Sequence, residues 1–451
     1  MRPAVDSIFH SITRTTISAT QCGRRKLSVL AQQVEPQARS RPEPLPIHHE
    51  PSIPRQRPDP YLLVASELTY IRKSMLNLLG AAHPGLADMA EYYFLHPSKQ
   101  LRSLVVLLFS RATNGVGRHW ERKHWDAVYQ SSSGQAQDLD KPLTLPNVLH
   151  EWNPSMRDDT ASFESVFTLQ RPVPRSPRPS PPFPPRTQKY ARCIVSPPTL
   201  LPSQIRLAQI TEMIHVASLL HDTITNDPGD ENDGFGNKLS ILGGDFLLGR
   251  ASTALSRLGE SEVVELLASV ISNLVEGEFL RMDEIKTPEL GATDGPTNLK
   301  AAWDLYLRKT YLKSASLFAK GARSAVILGG SQEGDILKEV AYIYGRNLGI
   351  AYQLVEDIKD VKHLQSGLTG PVLFASEENP VLLPLIQRCL KMPGDIELAT
   401  EYIQGTSGIE RTRLLAKEYA FNARDVLRLL PESDTKLALE ALTDIVIERA
   451  R

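Results

Sequence analysis

Three carboxylates lie close together in the segment QLVEDIKDV, where an apolar helical pattern ends. Glu356 and Asp357 precede Asp360 by four and three residues, so a helix places both beside Asp360 on one face. Such carboxylates repel one another unless cations neutralise them, and Mg²⁺, a hard ion often shared between carboxylates and phosphates, suits them. The spacing therefore predicts a Mg²⁺ site. A solvated acidic helix end, paired with Lys359 and Lys362, is the alternative.

A second acidic segment, EMIHVASLLHDTITND, ends a long helical pattern in the middle of the chain. Asp222 and Asn226 are four residues apart, and Asp227 lies one step further round the helix. One carboxylate with a neutral amide is a weak set of Mg²⁺ ligands, because the amide oxygen offers less charge to the ion. Taken by itself, the segment is more typical of an ordinary amphipathic helix end.

Two basic residues stand near a predicted helix start in the segment SKQLRS. Lys99 and Arg102 are three residues apart. This pair suits an anion such as diphosphate, because arginine offers a planar fork of donors and lysine a point charge. On local spacing alone, a solvated basic face is the stronger interpretation.

Helical periodicity surrounds these segments and predicts an all-α fold. Apolar residues recur at three- and four-residue spacing over residues 59–113 and 204–451, and no alternating, strand-like segment stands out. Residues 114–202 are polar and end in the run RPVPRSPRPSPPFPPRTQ, which cannot form helix or central strand because proline lacks an amide donor. We therefore predict one helical domain, residues 59–451, interrupted at about 114–202 by a disordered or polyproline insertion. A domain linker is the alternative.

The first 58 residues differ in composition from the rest of the chain. Up to Glu35, basic and hydroxyl side chains are frequent and Asp6 is the only acid, a composition typical of a mitochondrial transit peptide. A tail without a targeting function is the alternative. Proline and arginine dominate from Glu35 to Pro58, which indicates a linker. The sequence thus predicts a protein of the mitochondrial matrix or of the inner-membrane surface that faces it.

Charge and composition argue against nucleic-acid binding, a zinc or disulfide framework and a membrane-spanning helix. The net charge of −1 gives no global basic field for nucleic acid. Cys22, Cys193 and Cys389 show no CxxC spacing, so neither a zinc site nor a disulfide framework is expected. No apolar run approaches the ~20 residues that span a bilayer. Any membrane contact is therefore expected to be peripheral.

Six segments occur in the order found in trans-polyprenyl diphosphate synthases, and the chain resembles that family over about residues 59–113 and 204–451. The segments are SKQLRS, EMIHVASLLHD, FGNKLSILGGDFLLGRAS, NLVEGEF, YLKSASLFAKGARSA and GRNLGIAYQLVEDIKD. The chain is most similar to the long-chain mitochondrial enzymes that make the ubiquinone tail, including fungal members with a proline-rich insertion at this place. The resemblance implies an isoprenoid-synthase-type helical bundle around a central cavity. It also implies elongation of an allylic diphosphate with isopentenyl diphosphate.

The resemblance further implies roles for particular residues. The implied substrate-binding residues are Lys99, Arg102 and His215 for isopentenyl diphosphate, and Lys313, Ser314 and Gln353 for the allylic diphosphate. The implied Mg²⁺ ligands are Asp222, Glu356, Asp357 and Asp360, and the implied catalytic residues are Asp222, Asp357 and Lys313. The small residues Ala217 and Ser218 imply a product tunnel that stays open to a long chain. The implied assembly is a homodimer, or a heteromer with a related synthase.

The chain departs from the family pattern in segments that hold phosphate. Thr223 and Asn226 stand where the family has aspartates. The loop DPGDENDGFG carries four acids and no basic residue where the family has paired arginines, and the segment VKHLQSGLTGPVLFA is short and lacks the usual Gly-Lys pair. Two hypotheses follow: an active synthase, and a catalytically impaired paralogue or non-catalytic subunit of a heteromeric synthase. An error in the gene prediction that skipped the usual loop would give the same pattern.

Overall fold

A computed structural model of the chain describes residues 57–80, 84–95, 100–132, 199–223, 233–285, 299–363, 368–387, 390 and 392–449. Within these ranges the regular elements are helices and no β-strand occurs, which confirms the all-α prediction. The transit peptide and linker predicted for residues 1–58 lie outside the described ranges, apart from Arg57 and Pro58.

The helices fall into two sets along the chain, those up to residue 285 and those from residue 299 onward. The first set consists of α1 (Pro60–Leu63), α2 (Ala65–Leu79), α3 (Pro84–Leu95), α4 (Leu101–Thr113), α5 (Trp120–Ser132), α6 (Pro202–Asp222), α7 (Asp233–Ser256) and α8 (Ser261–Ile285). The second set consists of α9 (Leu299–Thr310), a π-helical turn (Tyr311–Ala315), α10 (Ser316–Leu328), α11 (Ile336–Lys359), α12 (Gly370–Glu378), α13 (Leu382–Gln387), α14 (Asp395–Gln404), α15 (Gly408–Val426) and α16 (Asp434–Glu448). Short 3₁₀ turns, Asp360–His363 and Leu427–Leu429, follow α11 and α15.

Local sequence signals set the ends of several helices. Helix α2 ends at Gly80, whose φ of 57° is the left-handed conformation that glycine adopts without steric cost. Helix α6 begins with Pro202, and the side chain of Gln204 accepts a hydrogen bond from the amide of Leu201 at 3.0 Å. Proline fits the first helical turn because the amide it lacks has no intrahelical acceptor there.

The core positions the helices that carry the acidic segments. Helix α11 packs between α10 and α15, and α6 packs against α7 and α4. Phe109 of α4 and Tyr344 of α11 are fully buried and meet edge to face, with ring centroids 5.1 Å apart. Gly349 allows a close approach of α11 to the π turn, because a Cβ there would lie 2.6 Å from Cα of Ala315. The middle of α11 is therefore held against the turn that contains Lys313 and Ser314.

The first part of the predicted insertion is ordered and packed. Helix α5 lies within it, and Trp120 at its start is buried. The side chain of Asn114 exchanges two hydrogen bonds with that of Gln204, at 2.9 and 2.8 Å, and donates a third to the carbonyl of Thr199 at 3.0 Å. The expected absence of packed structure therefore does not hold for residues 114–132. Residues 133–198, which include the proline-dense run, lie outside the described ranges.

Candidate active site

A cavity of about 550 Å³ lies where α4, α6, α8, α9, the π turn and α11 meet. Both acidic segments reach it, through Asp222 at the end of α6 and Asp357 near the end of α11. Its volume is typical of a small-molecule site. The lining residues are Arg102, His215, Ser218, Leu219, Asp222, Arg281, Tyr306, Lys309, Thr310, Lys313, Ser314, Tyr352, Gln353, Asp357, Leu368 and Thr369.

On the α6 wall, Asp222 is paired with a lysine. The Nζ atom of Lys313 donates to Oδ1 of Asp222 at 2.8 Å and to Oε2 of Glu278 at 2.7 Å. Burial alone would raise the pKa of Glu278, but hydrogen bonds from Arg281 and Lys313 outweigh it and hold the pKa at about 2. Glu278 is therefore ionised at neutral pH, and two carboxylates hold the Lys313 ammonium group at the cavity.

On the α11 wall, Asp357 is buried and bound from three directions. The hydroxyl of Tyr306 donates to Oδ2 of Asp357 at 2.7 Å, and Nε2 of Gln353 donates to Oδ1 at 2.9 Å. The backbone amide of Gly370 donates to Oδ2 at 3.1 Å. Burial raises the pKa of Asp357, and these hydrogen bonds oppose the rise. Because Ser314 donates to Gln353 at 2.6 Å, the network also links the π turn to this carboxylate.

The other two carboxylates of the α11 segment do not line the cavity. Glu356 accepts a hydrogen bond from Nζ of Lys359 at 2.9 Å, and Asp360 is exposed in the 3₁₀ turn that follows α11. Within the described ranges, no group of three or more His, Cys, Asp or Glu side chains has the geometry to hold a metal ion. Of the predicted Mg²⁺ ligands, the structure brings Asp222 and Asp357 to one cavity and leaves Glu356 and Asp360 outside it.

A buried cation and a neutral histidine form the corner between α4 and α6. The guanidinium of Arg102 lies over the ring of Phe318, 4.9 Å from its centroid. Burial lowers the pKa of His215 well below its ordinary value, and the positive charge of Arg102 lowers it further. Glu212, one turn before His215, is buried and accepts a hydrogen bond from the amide of Ser103 at 3.2 Å. Arg102 therefore carries the positive charge of this corner, while His215 is uncharged.

A π turn places Lys313 and Ser314 at the cavity. A π turn adds one residue to a helical turn, and such turns are frequent at functional sites. Gly277 of α8 allows close contact with it, because a Cβ there would lie 2.6 Å from Cγ of Lys313 and 3.1 Å from Cβ of Leu312. The sequence of this stretch continues the helical pattern of α9 and α10 without a signal that marks the extra residue.

The two small residues on α6 have different surroundings. Ser218 lines the cavity, and its hydroxyl donates to the carbonyl of His215 at 2.8 Å. Ala217 is fully buried in the hydrophobic core and is not among the residues that line the cavity. Leu219, which sequence reasoning missed, does line it. The cavity face of α6 thus follows helical spacing from His215 through Ser218 and Leu219 to Asp222.

Several lining residues were not identified from the sequence. Tyr306, Lys309 and Thr310 precede Lys313 by seven, four and three residues, so helical spacing from Lys313 could have found them. Arg281 lies three residues after Glu278 of the NLVEGEF segment. Thr223 lies at the end of α6, where its hydroxyl donates to the carbonyl of Leu220 at 2.7 Å. Lys99, Asn226 and Asp227 lie outside the described ranges, so their roles stay predictions.

Comparison with known proteins relates the chain to enzymes of isoprenoid chain elongation. Residues 188–403 match the family model described as polyprenyl synthetase. A probable mitochondrial hexaprenyl pyrophosphate synthase of Neurospora crassa is 38% identical, over 84% of this chain and 79% of that protein. The mitochondrial hexaprenyl pyrophosphate synthase of Saccharomyces cerevisiae is 35% identical, over 87% of this chain and 91% of that protein. The crystal structure of a decaprenyl diphosphate synthase from Rhodobacter capsulatus has the same fold, with a TM-score of 0.57, 22% identity and coverage of 87% and 98%.

Proposed function

The chain belongs to the polyprenyl synthetase family, and we propose that it elongates an allylic diphosphate with isopentenyl diphosphate to a long trans-polyprenyl diphosphate. The observation that carries this proposal is the single cavity that Asp222 and Asp357 share with the cations Arg102, Lys309 and Lys313. Cations suit diphosphate groups, and the carboxylates suit a divalent metal that accompanies them. The product would supply the side chain of ubiquinone.

The two substrates occupy different corners of the cavity. Arg102 and His215 bind isopentenyl diphosphate, together with Lys99. The allylic diphosphate lies at the π turn, where Lys313 supplies charge and Ser314 and Gln353 supply hydrogen bonds. Because Gln353 also donates to the neighbouring Asp357, its amide is already oriented before the substrate binds.

Bond formation then proceeds through charge separation at the allylic carbon. The bond between C1 of the allylic chain and the diphosphate oxygen breaks, and both electrons leave with the diphosphate. Lys313 stabilises the negative charge that develops there, and electrostatic stabilisation by preorganised groups is usually the largest single contribution to catalysis. The double bond of isopentenyl diphosphate attacks C1, which leaves a cation on the isopentenyl unit. The released diphosphate accepts a proton from the carbon next to that cation, and the product is one isoprene unit longer.

Magnesium is the metal that this set of donors suits. When bound, it would neutralise the diphosphate and stabilise the leaving group. Mg²⁺ is commonly held by one or two carboxylates together with substrate phosphates, and Asp222 and Asp357 supply such oxygens at the cavity. Glu356 and Asp360 remain proposed ligands that lie outside the lining of the cavity.

An assay of the purified chain tests the proposal. The chain is incubated with farnesyl diphosphate, isopentenyl diphosphate and Mg²⁺, alone and together with a related synthase whose acidic motifs are intact. We expect elongated products from the chain alone. Products that appear only with the related synthase would instead identify a non-catalytic subunit.

A second copy of the chain would pack on an exposed apolar face of α7 and α8. Leu242 of α7 and Val275 and Phe279 of α8 are among the most exposed apolar side chains of these helices, with Phe279 58% exposed. Val275 and Phe279 are four residues apart and therefore share one face of α8, and exposed apolar surface of this kind marks an interaction surface. Phe279→Lys should convert the dimer to a monomer in light scattering. Tyr92→Lys on α3, at a side chain 61% exposed, is the matched control and should leave the dimer intact.

We assign the chain to mitochondria, as the names of its fungal relatives state for those proteins. Among the residues that the structure describes, no helix combines the length and apolar character needed to cross a membrane. A fusion of residues 1–58 to a fluorescent protein tests the predicted targeting function, and diffuse cytosolic fluorescence would contradict it.

A further inference from the structure

One carboxylate on α8 holds two cations at the edge of the cavity. Oε2 of Glu278 accepts from Nζ of Lys313 at 2.7 Å, and Oε1 accepts from Nε of Arg281 at 2.8 Å. A second nitrogen of Arg281, Nη2, contacts the same Oε1 atom. Both cationic side chains line the cavity. Glu278 therefore fixes an ammonium and a guanidinium group side by side at one wall.

The segment that joins α6 to α7 contains no lysine or arginine. From Asp227 to Gly236, which includes the first residues of α7, the chain reads DPGDENDGFG, with four acids and no basic residue. A diphosphate near Asp222 therefore needs its positive charge from other elements. Arg281 extends from α8 into the lining of the same cavity as Asp222. Its planar guanidinium matches the spacing of phosphate oxygens, so it can bind two of them at once.

A second ion pair between an arginine and a glutamate of α8 lies away from the cavity and serves as a comparison. Arg308 of α9 forms an ion pair with Glu276 of α8, and its side chain is 61% exposed and does not line the cavity. Exposed pairs of this kind contribute little to stability. The side chain of Arg281 is 34% exposed and lines the cavity. Both arginines therefore pair with a glutamate of α8, but only Arg281 lines the cavity.

We propose that Arg281 binds the allylic diphosphate together with Lys313, supplying from α8 the positive charge that the segment between α6 and α7 lacks. That the diphosphate belongs to an allylic substrate rests on the proposed function. That Arg281 and Lys313 together bind a diphosphate group does not rest on it. Glu278 is a positioning residue in this arrangement, because it accepts hydrogen bonds from both cations and is not among the residues that line the cavity.

Binding of inorganic diphosphate tests the pair directly. Titration calorimetry of the full chain with inorganic diphosphate and Mg²⁺ compares the wild type with Arg281→Gln, Arg281→Lys and the control Arg308→Gln. We expect about a tenfold loss of affinity for Arg281→Gln, which is about 1.4 kcal/mol, because a charge-assisted contact with the phosphate oxygens is lost. Arg281→Lys should lose less, and Arg308→Gln should match the wild type. Equal affinity of Arg281→Gln and wild type would overturn the proposal, and Arg281→Lys decides the question should Arg281→Gln fail to fold.

Steady-state kinetics assign the pair to one substrate. The KM for farnesyl diphosphate should rise about tenfold in Arg281→Gln while the KM for isopentenyl diphosphate stays constant. A rise confined to isopentenyl diphosphate would overturn the assignment to the allylic site. If the wild type binds diphosphate through Arg281 yet elongates nothing, the proposed function fails and the cation pair stands. If the wild type elongates the substrate and Arg281→Gln keeps both KM values, the proposed function stands and the proposed role of Arg281 fails.

Discussion

The two carboxylates of the cavity, Asp222 on α6 and Asp357 on α11, are held in different ways. The side chain of Asp222 is 39% exposed and pairs with a lysine, whereas Asp357 is 7% exposed and accepts hydrogen bonds from a phenol, an amide and a backbone N–H. An exposed ion pair can exchange its partner at small cost in stability, but several directional bonds in a buried site fix one orientation. Asp222 can therefore exchange its lysine partner for another cation when substrate binds, whereas the orientation of Asp357 is fixed before binding.

Removing each carboxylate should give the largest contrast between the walls. We expect Asp357→Ala to lower kcat by about two to three orders of magnitude, as for loss of one preorganised transition-state contact. It should also lower the free energy of unfolding by about 3 kcal/mol, because Tyr306 and the amide of Gly370 lose their acceptor in a buried site. Asp222→Ala should lower kcat but change the unfolding free energy by less than about 1 kcal/mol. Equal destabilisation by both variants in urea titrations would contradict the comparison.

Enlarging the two small residues on α6 should separate product length from stability. Ser218→Phe fills part of the cavity, so we expect shorter products by chromatography of the dephosphorylated chains. Ala217→Phe forces a large ring into the packed core and should cost about 1–3 kcal/mol or more of stability. A stable Ala217→Phe variant with shortened products would show that the tunnel passes Ala217 as well.

A carboxylate introduced just after α6 should strengthen Mg²⁺ binding near Asp222. A carboxylate binds Mg²⁺ better than an amide, so we expect Asn226→Asp to raise kcat/KM by about tenfold at limiting Mg²⁺. Thr223→Asp should have little effect, since the Thr223 hydroxyl donates to the carbonyl of Leu220 and the residue does not line the cavity. A larger gain from Thr223→Asp than from Asn226→Asp in a Mg²⁺ titration would place the metal nearer the helix end.

Acid should weaken the α6 wall through Glu278. Its pKa falls from 4.5 to about 2 in the folded protein, despite the opposing effect of burial, because Arg281 and Lys313 bind the ionised form. A depressed pKa stabilises the fold fully above about pH 4.5 and loses that contribution as the pH falls towards 2. The unfolding free energy of Glu278→Gln should therefore vary less with pH than that of the wild type over this window. Parallel pH profiles of the two proteins in urea titrations would remove this interpretation.

The sequence predicts more of the scaffold than of the site. Helical periodicity is a local signal, so the positions of α2, α4, α6 and α11 follow from spacing alone. Helix α5 was missed because its sequence, WERKHWDAVYQSS, is mostly polar. The meeting of Asp222 and Asp357 required the family resemblance, because nothing local links segments so far apart in the chain.

The supporting contacts of the site depend on tertiary structure. The bonds from Tyr306 and Gly370 to Asp357 join residues from three separate segments, and no spacing rule predicts such a meeting. By helical spacing Glu356 and Asp357 both lie beside Asp360, yet only Asp357 lines the cavity, and Asp360 is exposed in the 3₁₀ turn where α11 ends. Periodicity identifies the face of a helix, and the neighbouring helices decide which part of that face is enclosed.

The π turn Tyr311–Ala315 makes the site sensitive to chain length as well as to residue type. Each residue of an α-helix adds about 100° of rotation, so one extra residue changes the direction of every side chain after it relative to those before it. Tyr306 and Lys309 lie before the extra residue, and the core face of α10 lies after it. A single-residue deletion between 311 and 315 would restore a regular helix and turn these two sets away from their present surfaces. In-frame gain or loss of one codon here should therefore be tolerated far less well than most substitutions at the same positions.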